Sequence, residues 1–76
     1  EKHEAKTDLR LSSLTSRELE ILEILSQGYS NRKIAGKLEI SDNTVKFHLK
    51  NIYEKIQVDN RTQAVAFYNQ LQKEKL

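Results

Sequence analysis

Residues 30–56, SNRKIAGKLEISDNTVKFHLKNIYEKI, carry the pattern that decides the fold. Ser30 and Ser41 each stand where a side-chain oxygen can cap the first turn of a following helix. Only two or three residues separate the two predicted helices, and Ile40 within that connection is apolar. A connection this short holds two helices at a steep angle. The stretch therefore predicts a helix-turn-helix.

The second of these helices has two contrasting faces. Positions i, i+4, i+7 and i+11 form a narrow apolar row that predicts a core-facing stripe: Val45, Leu49, Ile52 and Ile56. At about 100° per residue, five residues project from roughly the opposite side: Asn43, Lys46, Phe47, Lys50 and Glu54. Phe47 is thus an apolar ring between two lysines on a predicted outward face.

A further helix start precedes this pair. Thr15 can cap it and Glu18 can reach back to the Thr15 amide, which makes a capping box. Leu14 and Leu19 occupy the two positions of a hydrophobic staple. Gly28 suits the left-handed position that ends such a helix.

The last predicted helix begins at Asn60, and Gln63 is placed for another capping box. Residues 1–12 carry charge without periodicity, so we expect a flexible lead-in or linker end, followed by the domain in residues 13–76. The first residue is Glu and not Met, so we expect a piece of a longer protein or a processed chain. The predicted fold class is all-α, a compact four-helix domain with helices at approximately 15–27, 30–38, 41–56 and 60–73.

Composition excludes several classes of function. Without cysteine there is no disulfide framework and no Cys-based metal site, which agrees with a reducing cytosol. His3 and His48 lack the paired spacing of a zinc site, and no apolar run approaches the ~18 residues of a membrane span. A Ser–His–Asp trio on one helix cannot converge on a substrate. We therefore expect no enzyme, metal, cofactor or small-molecule site.

Charge is distributed unevenly along the chain, although the net charge is only +2. Residues 13–28 hold one base against three acids, whereas residues 29–56 hold six bases against three acids. Such an asymmetry is expected of a face turned toward a polyanion. On charge alone, an ordinary solvated helix surface remains the plainer interpretation.

Two longer stretches resemble a known family. LTSRELEILEILSQGYSNRKIA (residues 14–35) and ISDNTVKFHLKNIYEKIQVDNRTQAV (residues 40–65) are similar to the LuxR-type DNA-binding domain of quorum-sensing and response regulators. The resemblance covers roughly residues 14–68. It implies a four-helix fold whose third helix enters the major groove of double-stranded DNA, usually as a homodimer on an inverted repeat, with RNA polymerase as a further candidate partner and the cytoplasmic nucleoid as location.

The resemblance also assigns roles residue by residue. It implies base reading by Lys46, Phe47 and Lys50. It implies backbone contacts near Asn31, Lys33, Ser41, Asn43 and Thr44. We add a candidate dimer seam on the fourth helix, formed by Phe67, Tyr68 and Leu71; the alternative is that these apolar residues belong to the core.

Four features depart from the family pattern. Lys33 stands where many members have an acid, and gains a potential phosphate contact. Gln57 replaces a common glycine, so the turn lacks the residue best suited to positive φ. Tyr68 occupies a position that is usually small. The Gly-Leu-type ending is absent, and residues 69–72 continue in helical pattern.

Each assignment has an alternative. Lys46 and Lys50 could serve solubility alone, and Phe47 could be a partly buried core residue or a self-association contact. We expect His48 to be structural or to contact the DNA backbone, and Arg32 and Lys37 to be solvated. For the whole domain, the alternatives are a protein-docking module of the same fold and a helix-turn-helix of the promoter-recognition subunit type.

Overall fold

The structure, a computed structural model, describes residues 10–75, with side chains for residues 10–73. Its helices are α1 (Ser16–Ser26), α2 (Asn31–Leu38), α3 (Asp42–Ile56) and α4 (Arg61–Lys75), and residues 10–12 are also helical. The all-α class and the helix-turn-helix, formed by α2 and α3, are confirmed. The predicted starts fall one residue early because they counted the capping residues as helix. α4 continues two residues beyond its predicted end.

Side-chain caps start the first three helices as predicted. Thr15 Oγ1 accepts from the Glu18 amide at 3.1 Å, and Glu18 Oε1 accepts from the Thr15 amide at 2.9 Å, so the capping box is complete. Ser30 Oγ accepts from the Lys33 amide at 3.2 Å. Ser41 Oγ accepts from the Thr44 amide at 3.0 Å. Each bond satisfies an amide that the helix cannot pair internally.

The start of α4 differs slightly from the predicted capping box. Asn60 Oδ1 accepts from the Gln63 amide at 2.9 Å, as expected of a cap. Gln63 Oε1, however, accepts from the Asp59 amide at 2.7 Å and not from that of Asn60. The reciprocal bond is therefore made one residue earlier than in the standard motif.

Three helices end on a residue in the left-handed region. Gly28, after α1, has φ +97°, as its position predicted. Glu39, after α2, and Gln57, after α3, have φ of 59° and 61° without being glycine. In each of these two turns the next amide donates back to the helix: Ile40 N to Ala35 O at 3.0 Å, and Val58 N to Tyr53 O at 2.9 Å. These are the bonds of a Schellman motif.

Gln57→Gly is expected to stabilise the domain by about 1 kcal/mol, because a side chain in the left-handed region carries a steric cost that glycine avoids. The Gln57 side chain is exposed, so little contact is lost. Urea unfolding followed by circular dichroism measures the change. Gln27→Gly is the matched control, since Gln27 has φ −84° and gains no relief. An equal destabilisation by both variants would contradict this account of the turn.

One apolar core joins the helices. α1 packs against α3 and α4, and α2 packs against α3. The predicted row of α3 is buried, with Val45, Ile52 and Ile56 fully inaccessible and Leu49 5% exposed. The remaining core residues are Ile21, Leu22, Leu25, Ile34, Ala35, Ala64 and Leu71. The inward face of α3 is therefore fixed by the core, which determines the direction of its opposite face.

The predicted lead-in falls mostly on residues 1–9, which lie outside the described residues. Its last three residues are helical and contact the domain. Arg10 Nη1 donates to Ile56 O at 2.8 Å, and the Arg10 guanidinium lies 4.6 Å from the centre of the Phe67 ring. Leu11 packs against the core. At these three positions the chain belongs to the folded body, whereas the wider division of the chain stays a prediction.

Candidate nucleic-acid interface

The outward face of α3 carries the three residues expected to read bases. Phe47 is 63% exposed, and it is the large apolar side chain that stands out as exposed among the described residues. Lys46 and Lys50 are exposed beside it, and neither forms an ion pair within residues 10–73. Phe47 is therefore not part of the core, and both lysines keep their charge free for an anion.

His48 supports the exposed ring from one side. The rings of Phe47 and His48 lie 6.1 Å apart at 62°, an edge-to-face arrangement. His48 itself is half-buried. This contact orients Phe47 without covering it, so the ring remains available to a partner.

The residues expected to contact a DNA backbone surround this face. Lys33 is exposed in the first turn of α2, whereas Asn31 before it is half-buried. Asn43 is exposed in the first turn of α3. The hydroxyls of Ser41 and Thr44 lie 2.9 Å apart, either one donating. Both helix starts present unpaired amides and the positive end of a helix dipole, which favour anions.

A shallow depression of about 390 Å³ joins the start of α2 to the outward face of α3. It brings together Asn31 and the two lysines predicted from α3, and it is also lined by Leu49, Tyr53, Glu54 and Val58. Tyr53 is not among the interface residues predicted from the sequence. At about 100° per residue Tyr53 lies only about 20° from Lys46, so helical projection could have identified it.

Tyr53 can act as a hydrogen-bond donor at neutral pH. Burial raises the pKa of Tyr53 above its usual 10.0, against the opposing effect of the Arg61 charge. Arg61 donates to the Tyr29 carbonyl oxygen, which ties the start of α4 to the loop before α2. The phenol thus stays protonated at the edge of the depression.

A second depression, of about 500 Å³, lies on the exposed side of α2. Its lining residues are Ser30, Arg32, Lys33, Gly36 and Lys37. Arg32 and Lys37 are exposed, as expected, and Lys37 Nζ lies 4.9 Å from the centre of the Tyr29 ring. This side of the domain is cationic and adjoins the start of α2.

A partly buried ion pair joins α3 to α1, with Glu18 buried and Lys55 half-buried. Glu18 is 4% exposed, and its Oε1 lies 2.7 Å from Lys55 Nζ. Burial acts to raise the pKa of the Glu18 carboxyl, but hydrogen bonds from Lys55 and the Thr15 amide, with the Lys55 charge, outweigh it and leave the pKa below 4.5. Lys55 is therefore paired with Glu18 inside the domain and does not belong to the cationic outward face.

Glu18→Gln is expected to destabilise the domain by about 1–3 kcal/mol at neutral pH, because a buried charge-assisted bond is lost. A lowered folded-state pKa stabilises the protein fully above the ordinary value of 4.5, and this contribution disappears as the pH falls below it. The stability difference between wild type and variant therefore narrows in acid. Urea unfolding at neutral and acidic pH measures it.

Glu20→Gln is the control for the same charge change on α1. The Glu20–Arg17 pair is exposed and 3.5 Å long, so its loss is expected to have little effect. A cost for Glu18→Gln that matches the control, or that grows in acid, would contradict the assigned role of the buried pair.

The candidate dimer seam on α4 is only partly accessible. Phe67 and Tyr68 are half-buried, whereas Leu71 is 5% exposed within its own domain. Burial, together with the nearby negative charge of Glu23 on α1, raises the pKa of Tyr68 above 10.0. Because Leu71 is buried, it offers little surface to a second copy. Phe67 is already in contact with Arg10.

Two further findings on the described residues concern membrane spans and metal sites. None of the helices within residues 10–75 has the length and apolarity to cross a membrane. In the same part of the chain, no three His, Asp or Glu side chains gather as metal ligands would.

Comparison with known proteins identifies the family of this helix-turn-helix domain. Residues 12–68 match the family described as bacterial regulatory proteins, luxR family. The chain belongs to the luxR family. Its helix-turn-helix is thus a DNA-binding module of transcription regulation and not an enzyme.

The luxR-family relatives are longer than this chain. It is 53% identical over 58 residues to the probable transcriptional regulatory protein SgaR of Hyphomicrobium methylovorum, which covers 76% of this chain and 28% of SgaR. It is 43% identical over 65 residues to the HTH-type transcriptional regulator MalT of Klebsiella pneumoniae strain 342, 86% of this chain and 7% of MalT. The chain spans about a quarter or less of these relatives.

A solved structure extends the likeness to the fold. The response regulator StyR superposes with a TM-score of 0.83 at 33% identity, over 91% of this chain and 35% of that of StyR. The match agrees with a luxR-family effector domain of a response regulator.

Proposed function

We propose that this chain binds double-stranded DNA sequence-specifically, with α3 in the major groove. The observation that carries the proposal is the exposure of Phe47 at 63% between two unpaired lysines, on a helix whose other side is fully buried. The major groove accommodates one α-helix, and an apolar ring can contact the thymine methyl group there. Lys46 and Lys50 donate to guanine O6 and N7 or to phosphate.

Phosphate contacts position the helix in the groove. Lys33 supplies a charge, while Asn31, Ser41, Asn43 and Thr44 supply polar groups around two helix starts. Contacts of this kind fix register and provide most of the affinity without reading sequence. The division of labour is therefore between the helix starts, which anchor, and the outward face of α3, which selects.

The proposal also covers the longer protein and its partners. SgaR and MalT are named as transcriptional regulators and are several times longer than this chain, so we propose an effector domain within a longer bacterial regulator in the cytoplasm. We further propose a homodimer on an inverted repeat, with Phe67 and Tyr68 as seam candidates; Leu71, which is 5% exposed, is buried within its own domain. RNA polymerase is the proposed partner of the bound regulator.

Titration with duplexes tests the proposal. Selection from a random pool first supplies a bound sequence, and symmetry in the recovered sites reports dimerisation. Affinity for that duplex and for random duplex is then measured at two salt concentrations. A DNA-binding domain gives a preference for the selected duplex and a steep salt slope. Weak, salt-insensitive binding with no recovered sequence would favour a protein-docking module built around the exposed Phe47.

Lys33→Ala is expected to weaken binding to all duplexes alike and to reduce the salt slope by about 1, because one phosphate contact is lost. Lys73→Ala is the matched control, since it removes the same charge from an exposed position on α4. Both variants are titrated against selected and random duplex. A sequence-dependent loss for Lys33→Ala, or an equal loss for the control, would contradict the anchoring role.

A further inference from the structure

Glu54 lies on the same outward face as the proposed base-reading residues. At about 100° per residue it projects about 80° from Lys46, between Lys50 at about 40° and Phe47 at about 100°. Its side chain is exposed and lines the same depression as both lysines. Any placement of α3 that turns Lys50 and Phe47 toward the bases therefore turns Glu54 toward them as well.

The Glu54 carboxylate is not neutralised within the domain. Lys50 stands four residues earlier, yet the ion pairs found among residues 10–73 are Lys55–Glu18 and Arg17–Glu20. The order Lys before Glu at this spacing is also less favourable than the reverse. The surface proposed to bind DNA therefore carries the uncompensated negative charge of Glu54.

The donors on the base edges of the major groove determine which hydrogen bonds the Glu54 carboxylate can accept. In the major groove guanine presents two acceptors and thymine presents an acceptor and a methyl group, and both are unfavourable to a carboxylate. Adenine pairs its amino donor with the N7 acceptor, whereas cytosine offers its N4 amino donor alone. We infer that Glu54 determines specificity by accepting from the N4 amino group of a cytosine.

The helix geometry gives the register of this contact. Residues four apart are separated by about 6 Å along an α-helix, and stacked bases on one strand are about 3.4 Å apart. Glu54 therefore addresses a base pair about two steps from the one that Lys50 addresses. This inference rests on the proposed major-groove placement of α3.

Selection from a random duplex pool tests it, using wild type, Glu54→Ala, Glu54→Gln and the control Glu20→Gln, which makes the same charge change on α1. Wild type and control are expected to select cytosine at one position. Both Glu54 variants are expected to lose about tenfold or more of that preference and to keep the rest of the site.

Three other outcomes can be distinguished. If both Glu54 variants recover the wild-type site unchanged, the inference is wrong; tighter binding to every duplex would then show that Glu54 only repels DNA. If wild type recovers no sequence and shows no salt slope, the proposed function itself fails. A preference that shifts to adenine in Glu54→Gln would support the inference, because glutamine pairs with the adenine edge.

Discussion

Replacing Phe47 with alanine is expected to cost about 1–3 kcal/mol of discrimination at one base step while leaving the fold intact. The ring is 63% exposed and contacts His48 at its edge, so its removal leaves no cavity. The apolar contact with a thymine methyl is lost, but every phosphate contact remains. Affinity for random duplex is therefore expected to stay close to that of wild type.

Competition titrations measure this effect by comparing the selected duplex with duplexes changed at single positions. Lys33→Ala serves as the contrasting variant, since it is expected to weaken all duplexes uniformly. Equal losses on selected and random duplex for both variants would refute the separation between an anchoring surface and a selecting surface.

Ile52→Ala is expected to destabilise the domain by about 2–5 kcal/mol. Ile52 is fully inaccessible and lies in the row of α3 that faces the core. A chain of this length has a total stability of roughly 4–11 kcal/mol, so this one substitution removes a large part of it. The variant is expected to unfold at a much lower temperature and urea concentration.

The Ile52→Ala variant also distinguishes the roles of the two faces of α3. At a temperature where Ile52→Ala is still folded, its preference among duplexes is expected to match that of wild type, because the deleted atoms face away from the proposed interface. Phe47→Ala is expected to show the converse, with stability kept and preference lost. A cost below about 1 kcal/mol for Ile52→Ala would show that this face of α3 is not the core face.

Local sequence signals predicted the elements well. The capping box at Thr15 and Glu18, the caps at Ser30 and Ser41, and the left-handed Gly28 depend on bonds between near neighbours, which the sequence displays directly. The buried row of α3 and its outward face follow from one period. The direction of the candidate interface follows from the same period, because it lies opposite the core stripe; its role in binding stays a prediction.

Contacts between distant residues could not be predicted in the same way. The Glu18–Lys55 pair joins residues 37 positions apart, and sequence alone counted Lys55 among the charges of the cationic region. Arg10 reaches the end of α3 from within the expected lead-in. The pattern of α4 left Leu71 open between core and dimer seam, and the packing of α4 on α1 leaves it 5% exposed.

The most direct test of the central claim is nuclear Overhauser contact between the Phe47 ring and the selected duplex. Major-groove binding by the outward face of α3 predicts contacts from the Phe47 ring protons to a thymine methyl, with shifts of the Lys46 and Lys50 amides. Contacts confined to α1 or α4, with the Phe47 ring unchanged in the saturated complex, would contradict it.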